Sequence, residues 1–386
     1  MKREKTESGI PYLPEEIITN ILKRLPVKSL IRFRSVCDLW KNIISAPSFI
    51  TDHLNYSNHQ IPSLISTYDG ALIKYSLDLN KGLREVQVGP PIDSIRPHRI
   101  LGSCNGLVCL QTGGRLDPLS MWNPALREVM RVPRSRTLRV HYLGFGFNPF
   151  VNDYKIIVMT YASWRDMVNN VVSGVEVYSL ATNSWKDIEF SCLDGIRGFS
   201  QSLNVNGSIF WLARKTGLDQ SLVIVSFDLA LEDFILIPTP ALSGEGEAKL
   251  TVYENRPALF YSSFSTNSSN SALDLWVIEE GIGTFWSKKC TFGPYPFSIH
   301  PWTIWFSIHP WTICRNHIVC SGVSYFSTVQ LEEGDDYSDV KVDTFLINLA
   351  SNEYKVLYES TYGYSGHSFE YVESLLSLRN IQLGNP

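Results

Sequence analysis

The side chains best suited to bind another molecule are the arginines of one short stretch, LREVMRVPRSRTLR, at residues 126–139. A guanidinium group is planar, stays charged and presents a fork of N–H donors that fits carboxylates and phosphates. Arg131, Arg134 and Arg136 are therefore candidates for contact with an acidic or phosphorylated partner. The alternative is a solvated loop that balances acidic charge elsewhere. The full set is Arg127, Arg131, Arg134, Arg136 and Arg139.

Residue patterns typical of catalysis or of metal binding are missing. The sequence has no GxSxG, P-loop or HExxH motif, and GFGFN at 144–148 is followed by Pro149 instead of a helix start. None of the eight histidines has metal-ligand spacing with cysteines or carboxylates. The acidic run EEGDDYSD at 332–339 is typical of a solvated loop. We therefore expect no catalytic residues, no metal and no cofactor.

A local duplication is visible near the C-terminal end. FSIHPWTIW at 297–305 is followed at once by FSIHPWTIC at 306–314. A period of this length is too short for a repeated structural unit, and we expect a lengthened loop, which costs little free energy. Packing by Trp302 and Trp311 is the favoured role, and a metal held by His300 and His309 is the weaker alternative.

The composition describes a globular protein of 386 residues with 44% hydrophobic and 19% charged residues, enough for one large domain and a small one. Its seven cysteines include no CxxC pair, which favours reduced thiols over a disulfide framework. No stretch approaches the roughly 18 apolar residues of a membrane span. These features predict a protein of the cytoplasm or nucleus that does not bind membranes.

The net charge of −4 is unevenly distributed. Residues 1–50 contain nine Lys or Arg and five Asp or Glu, a balance of +4, so the remainder sums to −8. Nucleic-acid binders more often place a continuous basic face on the main domain. We therefore expect no nucleic-acid partner.

The pattern of prolines and apolar residues in 13–54 predicts a small helical module. A helix is expected to start at Pro14, which suits a first turn, and to carry an apolar stripe until Pro26 stops it. A second helix follows, with a possible break between Val36 and Trp40, and Pro47 bounds it. A module of this size buries too little surface to be stable alone, and its stripe is too wide for one internal core. Some of the apolar surface should face another protein.

After residue 60 the pattern changes to short alternating strands, and a hairpin unit recurs. Each copy has a strand, a polar turn and an apolar residue that opens the next strand. The period of roughly 50 residues is that of kelch-like propeller blades, which must stack because one unit cannot bury its own apolar face. We predict an all-β domain, a kelch-like β-propeller of about six blades. The copies lie at 71–88, 119–133, 174–188, 225–238, 273–289 and 342–357.

The helical module resembles the F-box of plant F-box proteins. The resemblance rests on Leu13-Pro14, Ile21-Leu22, Leu25-Pro26, VKSL at 27–30, RFRSVC at 32–37 and Trp40. Asp38 departs from the family pattern, which usually has a basic residue there. The resemblance implies binding to a Skp-type linker protein and through it to a cullin. Its apolar core and contact surface would come from Leu13, Pro14, Ile21, Leu22, Leu25, Leu30, Val36 and Trp40.

The strand segments CNGLVCL, WNPALRE, LGFGFNP and VEVYSLATNSW resemble the F-box-associated domain that follows the F-box in a large plant group. The implied division is a tail at 1–11, an F-box at 12–54, a connecting segment at 55–62, a propeller at 63–378 and a tail at 379–386. The implied function is substrate recognition for a Skp-cullin-F-box ubiquitin ligase, without catalytic residues of its own, toward an unidentified protein target. A non-ligase scaffold is the alternative, and an enzyme with a propeller active site is the weakest reading.

Overall fold

The structure is a computed structural model. It describes residues 13–60, 62–68, 71–78, 82–88, 97–112, 119–136, 140–160, 172–216, 220–242, 246–263, 270–279, 285–296, 303–314, 316–326, 340–360 and 369–382. Arg139, the acidic run at 332–339 and the start of the duplicated segment lie outside these residues. Among the described helices, none has the length and apolar character needed to cross a membrane.

The N-terminal module consists of four helices: α1 (Glu15–Lys23), α2 (Val27–Phe33), α3 (Asp38–Ser45) and α4 (Pro47–Asn58). Three prolines define their starts. Pro14 and Pro26 are the N-cap residues of α1 and α2, and Pro47 is the first residue of α4. Proline suits these positions because the first N–H groups of a helix have no partner within it. The predicted break before Trp40 is present between α2 and α3.

The rest of the described chain forms six antiparallel sheets. The first sheet contains β1 (Ser63–Tyr68), β2 (Ala71–Asp78) and β3 (Gly82–Val88). The second contains β4 (Pro97–Cys104), β5 (Leu107–Thr112), β6 (Leu119–Asn123) and β7 (Glu128–Arg131). The third contains β8 (Val140–Asn148), β9 (Asp153–Thr160), β10 (Gly174–Ser179) and β11 (Ser184–Asp187).

The fourth sheet contains β12 (Ile196–Arg197), β13 (Leu203–Val205), β14 (Ser208–Lys215), β15 (Leu222–Asp228) and β16 (Asp233–Pro238). The fifth contains β17 (Gly246–Tyr253), β18 (Arg256–Ser263), β19 (Asn270–Glu279) and β20 (Phe285–Pro296). The sixth contains β21 (Thr303–Cys314), β22 (His317–Phe326), β23 (Val340–Asn348) and β24 (Tyr354–Ser360). After them come β25 (Phe369–Tyr371) and a short helix, α5 (Leu378–Gln382).

The sheets are the blades of a six-bladed β-propeller, so the predicted fold class is confirmed. Inner strands of successive sheets contact one another around the ring. For example, β4 contacts β8, and β17 contacts β21. The ring closes with a strand from each end of the domain, because β25 pairs with β1 through Ser63↔Tyr371 and Ile65↔Phe369. Each predicted hairpin copy forms the two outer strands of one blade.

Repeated polar turns explain the hairpin pattern. At the outer turn of the second blade, Asn123 Oδ1 accepts hydrogen bonds from the N–H groups of Ala125 (2.9 Å) and Leu126 (3.1 Å). Asp228 and Asn348 make the same pair of bonds in the fourth and sixth blades. Such side chains favour turns because they satisfy backbone donors locally.

The core lies between neighbouring blades, and GFGFN takes part in its packing. Gly144 is in β8, and a Cβ atom there would lie 2.4 Å from Cζ2 of the fully buried Trp211. Glycine at this position therefore lets the indole pack directly against the strand. The motif serves strand packing.

Two sequence-based placements differ from the structure. The described part of the duplicated segment, Thr303–Cys314, is strand β21 and not a loop, because it pairs along its length with β22. The alternating apolar residues of the repeat satisfy the period of a strand, which the loop prediction overlooked. In addition, α4 continues to Asn58 and α5 covers 378–382, so the predicted boundaries at 54 and 378 both fall inside helices.

Candidate functional site

The helical module has a small core, to which two of the eight predicted residues belong. Leu22 and Leu30 are fully buried, together with Val27, Ile44 and Phe49. Leu25 and Trp40 are half-buried against this core, and the Trp40 ring lies 5.2 Å from that of Phe33. These four side chains hold the module together.

The other four predicted residues, Leu13, Pro14, Ile21 and Val36, are exposed. The exposed fractions are 52% for Leu13, 51% for Ile21 and 60% for Val36. Exposed large apolar side chains that cluster mark interaction sites more often than isolated ones do. The structure thus separates the predicted set into core residues and candidate contact residues.

Two further exposed residues were absent from the predicted set. Ile17 is 46% exposed, and Ile31 on α2 is also exposed. Ile17 and Ile21 are four residues apart, which places them on one face of α1, and Leu13 lies just before this helix. This spacing was the signal that could have added Ile17 to the set. We call Leu13, Ile17, Ile21, Ile31 and Val36 the apolar F-box surface.

The core of the module is completed by the propeller. Leu375, from the segment after β25, is fully buried in it, and Ala125 and Leu126 from the β6–β7 turn pack against it. The module therefore sits on the propeller face that carries the β4–β5 and β6–β7 turns, which we call the helix face. Because neighbouring strands are antiparallel, the β5–β6 and β7–β8 connections lie on the opposite face.

Arg131, Arg134 and Arg136 are exposed where β7 ends and the chain crosses to β8 on the opposite face. Arg127 lies at the other end of β7, in the turn on the helix face, with φ +56°. The structure thus groups the three candidate arginines and separates Arg127 from them.

The loop that carries these arginines is attached to the third blade. Trp185 Nε1 donates a hydrogen bond of 2.8 Å to Pro133 O, and Ser135 Oγ donates to Glu176 Oε2. Arg136 Nη1 lies 3.4 Å from Asp187 Oδ2, with both side chains largely exposed. Loops held on a rigid scaffold commonly carry binding residues.

Cys104, Cys109 and Cys290 have thiols with raised pKa values, and Cys109 is fully buried while the other two are half-buried. Burial raises the pKa of the Cys104 thiol to about 12, although Asn204 Nδ2 donates a hydrogen bond to its sulfur at 3.2 Å. Burial also raises the pKa of Cys109 and, to about 11, that of Cys290. A thiol is a poor nucleophile when protonated. Within the described ranges no group of three His, Cys, Asp or Glu side chains could hold a metal.

Comparison with protein families identifies both parts of the chain. Residues 10–52 match the F-box domain, and residues 77–326 match the F-box associated beta propeller domain. These matches define the class, an F-box followed by an associated propeller. The chain belongs to the family of F-box proteins with an F-box associated beta propeller domain.

Relatives in Arabidopsis thaliana extend over much of the chain. F-box protein CPR1 is 29% identical over 309 residues, which cover 72% of each protein, and F-box protein At2g21930 is 30% identical over 290 residues, which cover 72% of this chain and 71% of the relative. The match with F-box protein At3g08750 is 28% identical and spans 58% of this chain and 59% of that protein. The solved structure of YjhT superposes with a TM-score of 0.43 at 10% identity, covering 77% of this chain and 97% of YjhT.

Proposed function

We propose that this protein is the substrate-recognition subunit of a Skp-cullin-F-box ubiquitin ligase. Its F-box binds a Skp-type linker protein, which connects it to a cullin, and its propeller holds an unidentified protein target. It works in the cytoplasm or nucleus and has no catalytic residues of its own. Its contribution is proximity, because holding the target beside the ligase raises the effective concentration for ubiquitin transfer.

The observation that carries this proposal is the apolar F-box surface. In water these side chains expose apolar area. A partner that buried this area would gain about 25 cal/mol of binding free energy per Å². Their neighbours Leu22 and Leu30 are already buried, so the exposed residues are not needed to fill the internal core. Such an arrangement fits a helical module that docks onto a second protein.

We assign target contact to the arginine loop on the opposite face. Arg131 and Arg134 are exposed there, and Arg136 contacts the exposed Asp187. This location leaves the loop accessible when the F-box is bound at the helix face. The chemistry of the loop suits an acidic or phosphorylated target.

The test is capture of the Skp-type linker protein and the cullin by the purified full-length chain. Ile17→Asp with Ile21→Asp should abolish capture, because both side chains are exposed and their replacement leaves the F-box core intact. Leu231→Asp is the matched control, since Leu231 is 80% exposed on the fourth blade. Capture of the linker protein without a cullin would favour the scaffold alternative, and capture by the double variant would contradict the assigned surface.

A further inference from the structure

The segment that follows β25 runs between the F-box and the propeller. Leu375 is 1% exposed and belongs to the F-box core, whereas Leu378, three residues later, is 2% exposed and packs in the core between the second and third blades. Consecutive parts of one short segment are thus buried in two different parts of the protein. We call residues 372–381 the strap.

Asn123 connects the strap to the β6–β7 turn. Its Nδ2 donates hydrogen bonds to Ser374 O (3.1 Å) and Leu376 O (2.7 Å), and its Oδ1 accepts those from Ala125 and Leu126. The latter two residues pack against the F-box. One fully buried side chain therefore holds both the strap and the turn on which the F-box rests.

Glu128 makes a second attachment. Its carboxylate accepts hydrogen bonds from Ser377 Oγ (2.9 Å) and from the N–H group of Leu378 (2.8 Å). Charge-assisted bonds of this kind are stronger than neutral ones. Burial lowers the pKa of Arg34 in the F-box, and the negative charge of Glu128 opposes this shift. The second blade and the strap thus meet at this carboxylate, whose charge also acts on Arg34 of the F-box.

The β4–β5 turn approaches the strap closely from the other side. Gly106 has φ +79°, and a Cβ atom there would lie 2.3 Å from Ser374 Cβ. Only glycine suits both this backbone conformation and this distance. Both turns that the second blade has on the helix face therefore contact the strap.

We propose that the strap is a positioning device that fixes the F-box in one orientation on the helix face of the propeller. The covalent connection between α4 and β1 is short, at 59–62, but it joins the two parts at a single point. The strap adds a second connection, through which the F-box core and the blade core share one segment.

This inference gains its functional meaning from the proposed function. A receptor that acts by proximity raises the effective concentration only when the geometry allows both sites to be engaged at once. A fixed F-box keeps the apolar F-box surface and the arginine loop at a constant separation and direction. Asn123, Glu128 and Leu375 are then positioning residues.

The sharpest variant is Asn123→Asp. Asp228 forms the same turn in the fourth blade, so the substituted carboxylate keeps the acceptor for the turn. It removes the donor to Ser374 O and Leu376 O and places negative charge beside these carbonyls. Asn348→Asp is the matched control, because Asn348 caps the corresponding turn of the sixth blade.

The readout is hydrogen–deuterium exchange of the full-length chain, followed by mass spectrometry. Losing two hydrogen bonds should speed exchange in peptides that cover 374–381 and 27–44 by about tenfold or more, with blades four to six unchanged. Asn348→Asp should leave both peptides at the wild-type rate. Unchanged exchange of the strap in Asn123→Asp would overturn the proposal.

If Asn123→Asp does not fold, Glu128→Gln with Ser377→Ala provides the same test, because it weakens the second attachment without altering the turn. The exchange measurement needs no partner, so it stands even if the wild-type chain captures no Skp-type linker protein and the proposed function fails. Conversely, normal capture with unchanged exchange in both variants would leave the proposed function intact and overturn the strap.

Discussion

The two candidate binding regions differ in chemistry and in support. The apolar F-box surface consists of aliphatic side chains on or next to α1 and α2, whose other sides are buried. The arginine loop consists of exposed charges on a connection that is attached to the third blade by Trp185 and Ser135. Desolvation of the first region can supply strong binding that depends little on salt. The charges of the second region are screened by ions in solution. They contribute more to the choice of target and to the association rate than to affinity.

The largest effect should come from placing charges in the apolar F-box surface. Ile17→Asp with Ile21→Asp would bury two unpaired carboxylates in the complex, each at a cost of several kcal/mol. We expect affinity for the Skp-type linker protein to fall by about a thousandfold or more at every salt concentration, since about 1.4 kcal/mol corresponds to tenfold. Isothermal titration calorimetry at low and high salt measures this change. A strong salt dependence would remove the contrast between the two regions.

A core substitution separates stability from contact. Leu30→Ala removes a fully buried side chain and should lower the free energy of unfolding of the F-box by about 2–5 kcal/mol. Affinity for the linker protein, measured at a temperature where the variant is still folded, should change little. Thermal unfolding followed by circular dichroism gives the stability. If binding falls while stability does not, Leu30 belongs to the contact surface.

The arginine loop should give a smaller effect that depends on salt. Arg131→Ala, Arg134→Ala and Arg136→Ala together should weaken target capture by about threefold to tenfold at physiological ionic strength, because exposed charge contacts are worth up to about 1 kcal/mol each. The residual capture should depend less on salt than that of the parent chain. Quantitative affinity capture with the proteasome blocked measures both. Arg127→Ala is the matched control, because Arg127 lies on the helix face.

The smallest effect should have the opposite sign. Asp187 Oδ2 lies 3.4 Å from Arg136 Nη1, so it should compete with the proposed target for this arginine. Asp187→Ala should therefore strengthen capture of an acidic target slightly, by about twofold, because an exposed ion pair is worth less than about 1 kcal/mol. The same capture assay measures the change. Weaker capture would mean that Asp187 itself contacts the target or supports the loop.

Local patterns in the sequence were sufficient for most of the fold. The outer hairpins were predicted because a strand, a polar turn and a second strand recur, and the structure shows that Asn123, Asp228 and Asn348 hold three of these turns. Pro14 marked the start of α1 in a similar way, whereas Pro26 and Pro47 were interpreted only as the ends of the preceding helices, although α2 and α4 begin there. These signals act over a few residues, so they can be read without knowing the tertiary structure.

The division of the F-box residues could not be predicted in the same way. Leu22 and Ile21 are adjacent leucine and isoleucine residues of α1, yet one is buried and the other half exposed. Adjacent residues of a helix point in directions about 100° apart, and Leu22 faces a core that is formed by the other helices and by Leu375, more than three hundred residues away in the sequence. The strand β21 was missed because a recent-looking duplication suggested an inserted loop, although its alternation suits a strand.

Ring closure joins β1 and β25, two strands from opposite ends of the domain that are synthesised at different times. The three residues of β25 are synthesised after the other described strands of the propeller, and until they appear β1 has only β2 as a partner among these strands. The nascent propeller is then an open stack with an unpaired edge, the arrangement most prone to pair with another chain. A stop codon before residue 369 would thus leave the first blade one strand short, and the truncated protein should aggregate more readily.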